Sequence, residues 1–129
     1  MEPYLHNNDL ILTRKWDTPR RGQILLMRSK IYPNQLNIKR LVGLPGDKIA
    51  IKEGSLWLND RGLTEPYLKS TPASSLEIDR DWVVPEGTVF VLSDNRILGT
   101  EDSRKYGPIP KQSVECQMIM RIWPLIRLK

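Results

Sequence analysis

Residues Leu36–Leu58 read LNIKRLVGLPGDKIAIKEGSLWL, three short apolar stretches parted by turn residues. Leu36–Val42, Lys48–Lys52 and Ser55–Leu58 are rich in Ile, Leu, Val and Trp, side chains that suit a pleated, half-buried surface. Gly43-Leu44-Pro45-Gly46-Asp47 breaks the first pair, and Glu53-Gly54 has the form of a tight hairpin in the second. Working outward, Asp9–Thr13, Gln23–Arg28, Thr88–Leu92 and Met118–Trp123 read the same way, and Asn59-Asp60-Arg61-Gly62 forms a further turn. No stretch of about eleven residues carries a clean 3.6 period. The pattern predicts a mainly β fold, a compact antiparallel domain of barrel-like or sandwich type with little helix. Lys69–Asp79, with Thr71-Pro72 and few apolar residues, reads as a long loop.

Length and composition narrow the class. The 129 residues form a single domain, 1–129, at roughly 100–200 residues per domain. A chain of that size buries roughly two thirds of its unfolded surface. No run approaches the ~18 apolar residues of a membrane span. A single cysteine, Cys116, excludes an internal disulfide and a multi-cysteine zinc site, and a single histidine, His6, excludes a centre built on several histidines. No metal site and no cofactor is expected. The net charge of +5 is scattered in pairs such as Arg20-Arg21 and Lys39-Arg40 rather than clustered. No nucleic-acid partner is therefore expected. The C-terminal Arg121-Ile122-Trp123-Pro124-Leu125-Ile126-Arg127 mixes cations with apolar residues, as an anionic membrane surface would require, or as a packed last strand would.

The familiar catalytic sets find little support. A Ser-His-Asp triad would have to use His6, beside Asn7-Asn8 near the chain start, where a surface role is the simpler reading. The two glycines of Gly43–Asp47 lack the Lys-Ser/Thr ending of a phosphate loop. Lys39 stands apart. In a period-2 strand it shares a face with Asn37 and Leu41, while Arg40 lies on the other face with Ile38 and Val42. Two adjacent cations on opposite faces cannot both reach open water inside a closed sheet. A buried lysine loses solvation of its charged form and becomes a neutral amine more easily, which a lysine general base requires. An edge strand with both cations solvated is the alternative. A second grouping, Ser93-Asp94-Asn95-Arg96 and then Asp102-Ser103-Arg104, can lock a loop by carboxylate–guanidinium pairing, and Asp94 can neutralise Arg40.

Taken together these segments resemble type I signal peptidases, membrane-bound serine proteases with a Ser–Lys dyad. Met1-Glu2-Pro3-Tyr4-Leu5 resembles the part of the family's first box that follows its serine. Arg21-Gly22-Gln23 with its apolar strand resembles the next pattern, and Ile38-Lys39-Arg40-Leu41-Val42-Gly43-Leu44-Pro45-Gly46-Asp47 matches the lysine box nearly residue for residue. Gly54–Asn59, Glu65-Pro66-Tyr67-Leu68 and Val84-Pro85-Glu86-Gly87 follow in family order. Ser93–Arg96, Asp102–Arg104 and Tyr106-Gly107-Pro108-Ile109-Pro110 resemble the last box, and Trp123-Pro124 its C-terminal strand.

The resemblance implies the signal peptidase I type of β fold and an endopeptidase that removes signal peptides from secretory precursors at a membrane surface. The catalytic domain would lie on the extracytoplasmic side. Lys39 would be the general base and Thr100 the hydroxyl that orients it. Arg40, Asp94, Asp102 and Arg104 would structure the site, and Met1, Leu5 and Ile38 would line shallow substrate pockets. The family's nucleophile is the serine just before Met1, so the chain as printed is expected to lack both it and the membrane anchor, and to be inactive without them. Ser93 stands where the family usually has glycine, and one extra residue separates Arg96 from Asp102. A catalytically silent binding or assembly module is the alternative function. The related repressor-cleaving peptidases share the dyad, but the Gly-Leu-Pro-Gly-Asp and Asp-Ser-Arg boxes favour signal peptidase.

Overall fold

A computed structural model describes residues 5–64, 79–96 and 101–123. Strands dominate: β1 (Leu10–Arg14), β2 (Ile24–Arg28), β3 (Leu36–Gly43), β4 (Lys48–Lys52), β5 (Ser55–Leu58), β6 (Arg61–Gly62), β7 (Arg80–Val83), β8 (Thr88–Leu92), β9 (Ile109–Pro110) and β10 (Val114–Trp123). A four-residue helix, α1 (Ser103–Tyr106), precedes β9. All pairings are antiparallel, in a six-stranded sheet of order β1-β10-β2-β3-β8-β9 and a four-stranded sheet of order β6-β5-β4-β7. The two sheets stay open, so the architecture is sandwich-like rather than a closed barrel.

The expected strands are present to within a residue at most ends, apart from β10. The hairpin at Glu53-Gly54 turns with both residues at positive φ, 51° and 76°, as a two-residue hairpin turn demands. Asn59-Asp60 does the same at 51° and 68°. Three short strands and the first part of β10 differ from the sequence expectation. β6 and β9 have two residues each, too few to carry a period. β7 is a mostly exposed RDWV. β10 begins at Val114 rather than Met118: Val114, Cys116 and Gln117 pair with β2, Glu115 is skipped at an irregularity in the register, and the polar Glu115 and Gln117 interrupt the apolar pattern. The Lys69–Asp79 loop lies outside the described residues except for Asp79.

Two apolar clusters cover opposite faces of β3 and β8. Val42, Ile49, Ile51, Leu56, Val84, Phe90 and Leu92 fill the space between the sheets. Leu25, Met27, Leu41, Val89, Val91 and Ile109 form the second cluster, with Trp16, Leu44 and Val114 packed against it. Packing is tight at Gly43: a Cβ there would stand 2.8 Å from Cβ of Phe90 on the neighbouring strand β8 and 3.0 Å from Ile49 Cδ1 in the other sheet. β3 is therefore central in its sheet and covered on both faces, which overturns the edge-strand alternative for Lys39 and Arg40.

Candidate active site

β3 pairs with β2 on one side, where Leu25 faces Lys39 and Ile24 faces Arg40. On the other side Arg40 faces Leu92 and Leu41 faces Val91. Continued by one residue, that register sets Lys39 opposite Ser93, just beyond the end of β8. Period-2 alternation turns Lys39 toward the Leu25–Leu41–Val91 cluster and Arg40 toward the other face. Both cations are buried, with 8% and 6% of their surface exposed.

They meet different fates. Arg40 Nε and Nη2 donate to the two carboxylate oxygens of Asp94, each at 2.8 Å, and Nη1 donates to the Gly22 carbonyl at 3.1 Å. The fork geometry makes this a strong, directional pair. Lys39 forms no salt bridge among the described residues; its Nζ donates to Ser93 Oγ at 2.8 Å. Burial pushes the Lys39 amine below its ordinary pKa. The Asp102 and Glu101 charges pull it partly back, and Arg104 opposes them.

Asp102 organises the closing loop and caps α1. Its Oδ1 accepts from the Arg104 backbone N–H at 3.0 Å and its Oδ2 from the Ser93 N–H at 3.0 Å. Arg104 returns along its own chain, with Nη2 2.8 Å from Asp102 Oδ2, and its Nη1 donates to the Arg96 carbonyl at 2.9 Å. Ser103, fully buried, accepts the Val91 N–H on its hydroxyl at 2.9 Å. The two halves of the last box are thus tied to each other and to β8.

The structure brings Lys39, Arg40, Asp94, Asp102 and Arg104 together. Leu5 is buried, and Ile38 is half-buried beside Lys39 on β3. Met1 and Thr100 lie outside the described residues. Sequence reasoning missed two features. The Ser93 hydroxyl meets the lysine amine; the signal was a side chain where the resembled family has none. Its backbone takes no strain, since Ser93 is absent from the positive-φ residues. The second is Asp47, whose carboxylate accepts from Arg21 Nη2 at 2.8 Å, Leu44 N–H at 2.7 Å and Asn59 Nδ2 at 3.1 Å, pinning the turn that leaves β3. Burial pushes this carboxyl up, but those donors outweigh it and hold it below its ordinary pKa.

Comparison with known proteins gives the family. The family model described as signal peptidase, peptidase S26, matches residues 1–123. The chain is similar to a signal peptidase I of Leptolyngbya laminosa, 32% identical over 99% of this chain and 66% of that protein. It is also similar to the mitochondrial inner membrane protease subunit 1 of Xenopus tropicalis, 30% identical over 97% of this chain and 65% of that protein. The chain thus spans about two thirds of the length of these curated relatives. A crystal structure of a signal peptidase I from Enterococcus faecalis V583 superposes with a TM-score of 0.67 at 30% identity, covering 81% of this chain and 98% of that one. With the lysine box, the closing loop and the β scaffold all in place, the chain belongs to the peptidase S26 signal peptidase family.

Proposed function

We propose that this protein is a Ser–Lys endopeptidase that removes signal peptides from secretory precursors at a membrane surface. One observation carries the reading: Lys39 is buried among apolar side chains, while the neighbouring cations Arg40 and Arg104 take the carboxylates of Asp94 and Asp102. The amine is thereby left to exchange protons.

The attacking hydroxyl comes from a serine immediately before Met1, the place that the family's first box gives it. As its oxygen bonds to the scissile carbonyl carbon, its proton passes to Lys39 Nζ. The ammonium returns that proton to the leaving amine as the C–N bond breaks. Water then attacks the acyl-enzyme, gives a proton to Lys39, and the released serine oxygen takes it back. Thr100 supplies a second hydroxyl for the lysine, and Met1, Leu5 and Ile38 form shallow pockets for small side chains. Arg40 with Asp94, and Asp102 with Arg104, hold β3 and the closing loop in register around the amine.

Two features support a membrane setting; the extracytoplasmic side, where secretory precursors emerge, follows from the proposed substrate alone. A relative carries an inner membrane location in its name. Leu10 pairs with Trp123 and Leu12 with Met120 across β1 and β10, and all four are exposed. Adjacent apolar cross-strand pairs on the outer edge of a sheet suit insertion among lipid headgroups.

The test is cleavage of a signal-peptide substrate by the chain bearing a serine and a short apolar segment before Met1. Cleavage after a small residue, abolished by Lys39→Ala, is the expected result. Cleavage that persists in Lys39→Ala contradicts the dyad, and a serine-extended chain that stays inert with Lys39 intact favours the silent-module reading.

A further inference from the structure

We propose that Ser93 is a positioning residue for Lys39: its hydroxyl fixes the amine so that the nitrogen lone pair points at the attacking serine. This inference rests on the reading of Lys39 as the general base. Glycine, usual at this place in the resembled family, would offer the amine no hydroxyl.

The geometry is specific. The antiparallel register of β3 and β8 sets position 93 opposite Lys39, and Ser93 Oγ lies 2.8 Å from Nζ. Both residues are buried, at 4% and 8% exposure. The serine cannot drift, because its backbone is held on both sides. Its N–H donates to Asp102 Oδ2 at 3.0 Å, and its carbonyl accepts from Arg96 Nε at 2.5 Å. The next residue, Asp94, is locked to Arg40. The hydroxyl is thus a fixed acceptor on a braced loop.

A neutral amine has two N–H donors and one lone pair. On a flexible four-carbon stem that lone pair samples many directions. Giving one N–H a fixed acceptor removes part of that freedom before substrate binds, which is the preorganisation that general-base catalysis rewards. Ser93 itself is too buried to reach a scissile carbonyl, so its role is indirect. Its contact with Lys39 survives proton transfer, since the ammonium also donates to it, and more strongly.

Two measurements test the proposal. The first is the NMR spectrum of the Lys39 ε-methylene in the chain as printed. A held amine gives two distinct Hε shifts, which converge in Ser93→Ala. Ser93→Gly, the residue of the resembled family, serves as the second variant should alanine disturb the fold. The second measurement is the pH dependence of cleavage in the serine-extended chain. Ser93→Ala is expected to lower kcat about 2- to 10-fold with KM unchanged, the size of one hydrogen bond. It should also move the acid limb of kcat/KM to lower pH, because the ammonium loses an acceptor while Asp102, Glu101 and Arg104 stay in place. Unchanged Hε separation in both variants overturns the proposal. So does an acid limb moved to higher pH, which would mean that the substitution merely admits water. Retained cleavage in Lys39→Ala would instead refute the dyad reading, and the Hε shifts would still decide whether Ser93 holds the amine.

Discussion

Arg40 and Asp94 face each other in a buried two-point fork, both hydrogen bonds at 2.8 Å, directly beside the Lys39–Ser93 contact. Two consecutive residues of β3 therefore meet two consecutive residues of the closing loop, on opposite faces of the sheet. The ion pair aligns the loop, and that alignment delivers the Ser93 hydroxyl to the amine.

Asp94→Ala is expected to cost roughly 3–5 kcal/mol of folding stability, because it strands a buried guanidinium. Chemical denaturation monitored by tryptophan fluorescence measures it. A change within about 0.5 kcal/mol, typical of an ordinary surface substitution, would show that the pair contributes nothing.

Lys39→Met is expected to stabilise the protein near neutral pH by about 0.5–2 kcal/mol, since a buried amine is retained for chemistry at the expense of stability. The sign follows from linkage. The folded-state pKa of Lys39 is depressed, so between that pKa and the unfolded value of ~10.4 the unfolded chain binds more protons and stability rises with pH. The burial cost is complete below the folded pKa and gone above the unfolded one. The advantage of methionine should therefore shrink as pH climbs through that window. An advantage independent of pH would mean that the amine is not desolvated.

Gly43→Ala is expected to destabilise by about 1–3 kcal/mol through overpacking, as the new methyl would meet Phe90 Cβ at 2.8 Å. Thermal melts measure it. Pairing it with Phe90→Leu should recover none of the loss, because leucine keeps the Cβ that the new methyl meets; recovery in the double variant would place the clash on the phenyl ring instead.

Much of this was legible in the sequence. The apolar stretches around Gly46 and Gly54 located three of the strands and similar stretches elsewhere four more, since period-2 composition and turn residues are local signals. The paradox of Lys39 beside Arg40 also pointed to burial, but whether β3 was central or an edge depended on β8 and β2, which pair with it at long range. β6 and β9 were invisible because two residues carry no periodicity. The Ser93 hydroxyl was visible only as a departure from glycine; its meeting with Lys39 follows from the strand register. Asp47 was part of a quoted motif, yet its bond to Arg21, 26 residues away, is a product of folding.

The claim at the centre of this account is that Lys39 is a shielded amine able to act as a base, and the direct measurement is an NMR titration of its ε-amine in the folded protein, with Asp94 and Asp102 intact. The account predicts a midpoint below the ~10.4 of a solvated lysine, moving toward that value when Leu25→Ser lets water reach the second apolar cluster. A midpoint at or above ~10.4 in the wild-type protein would contradict it.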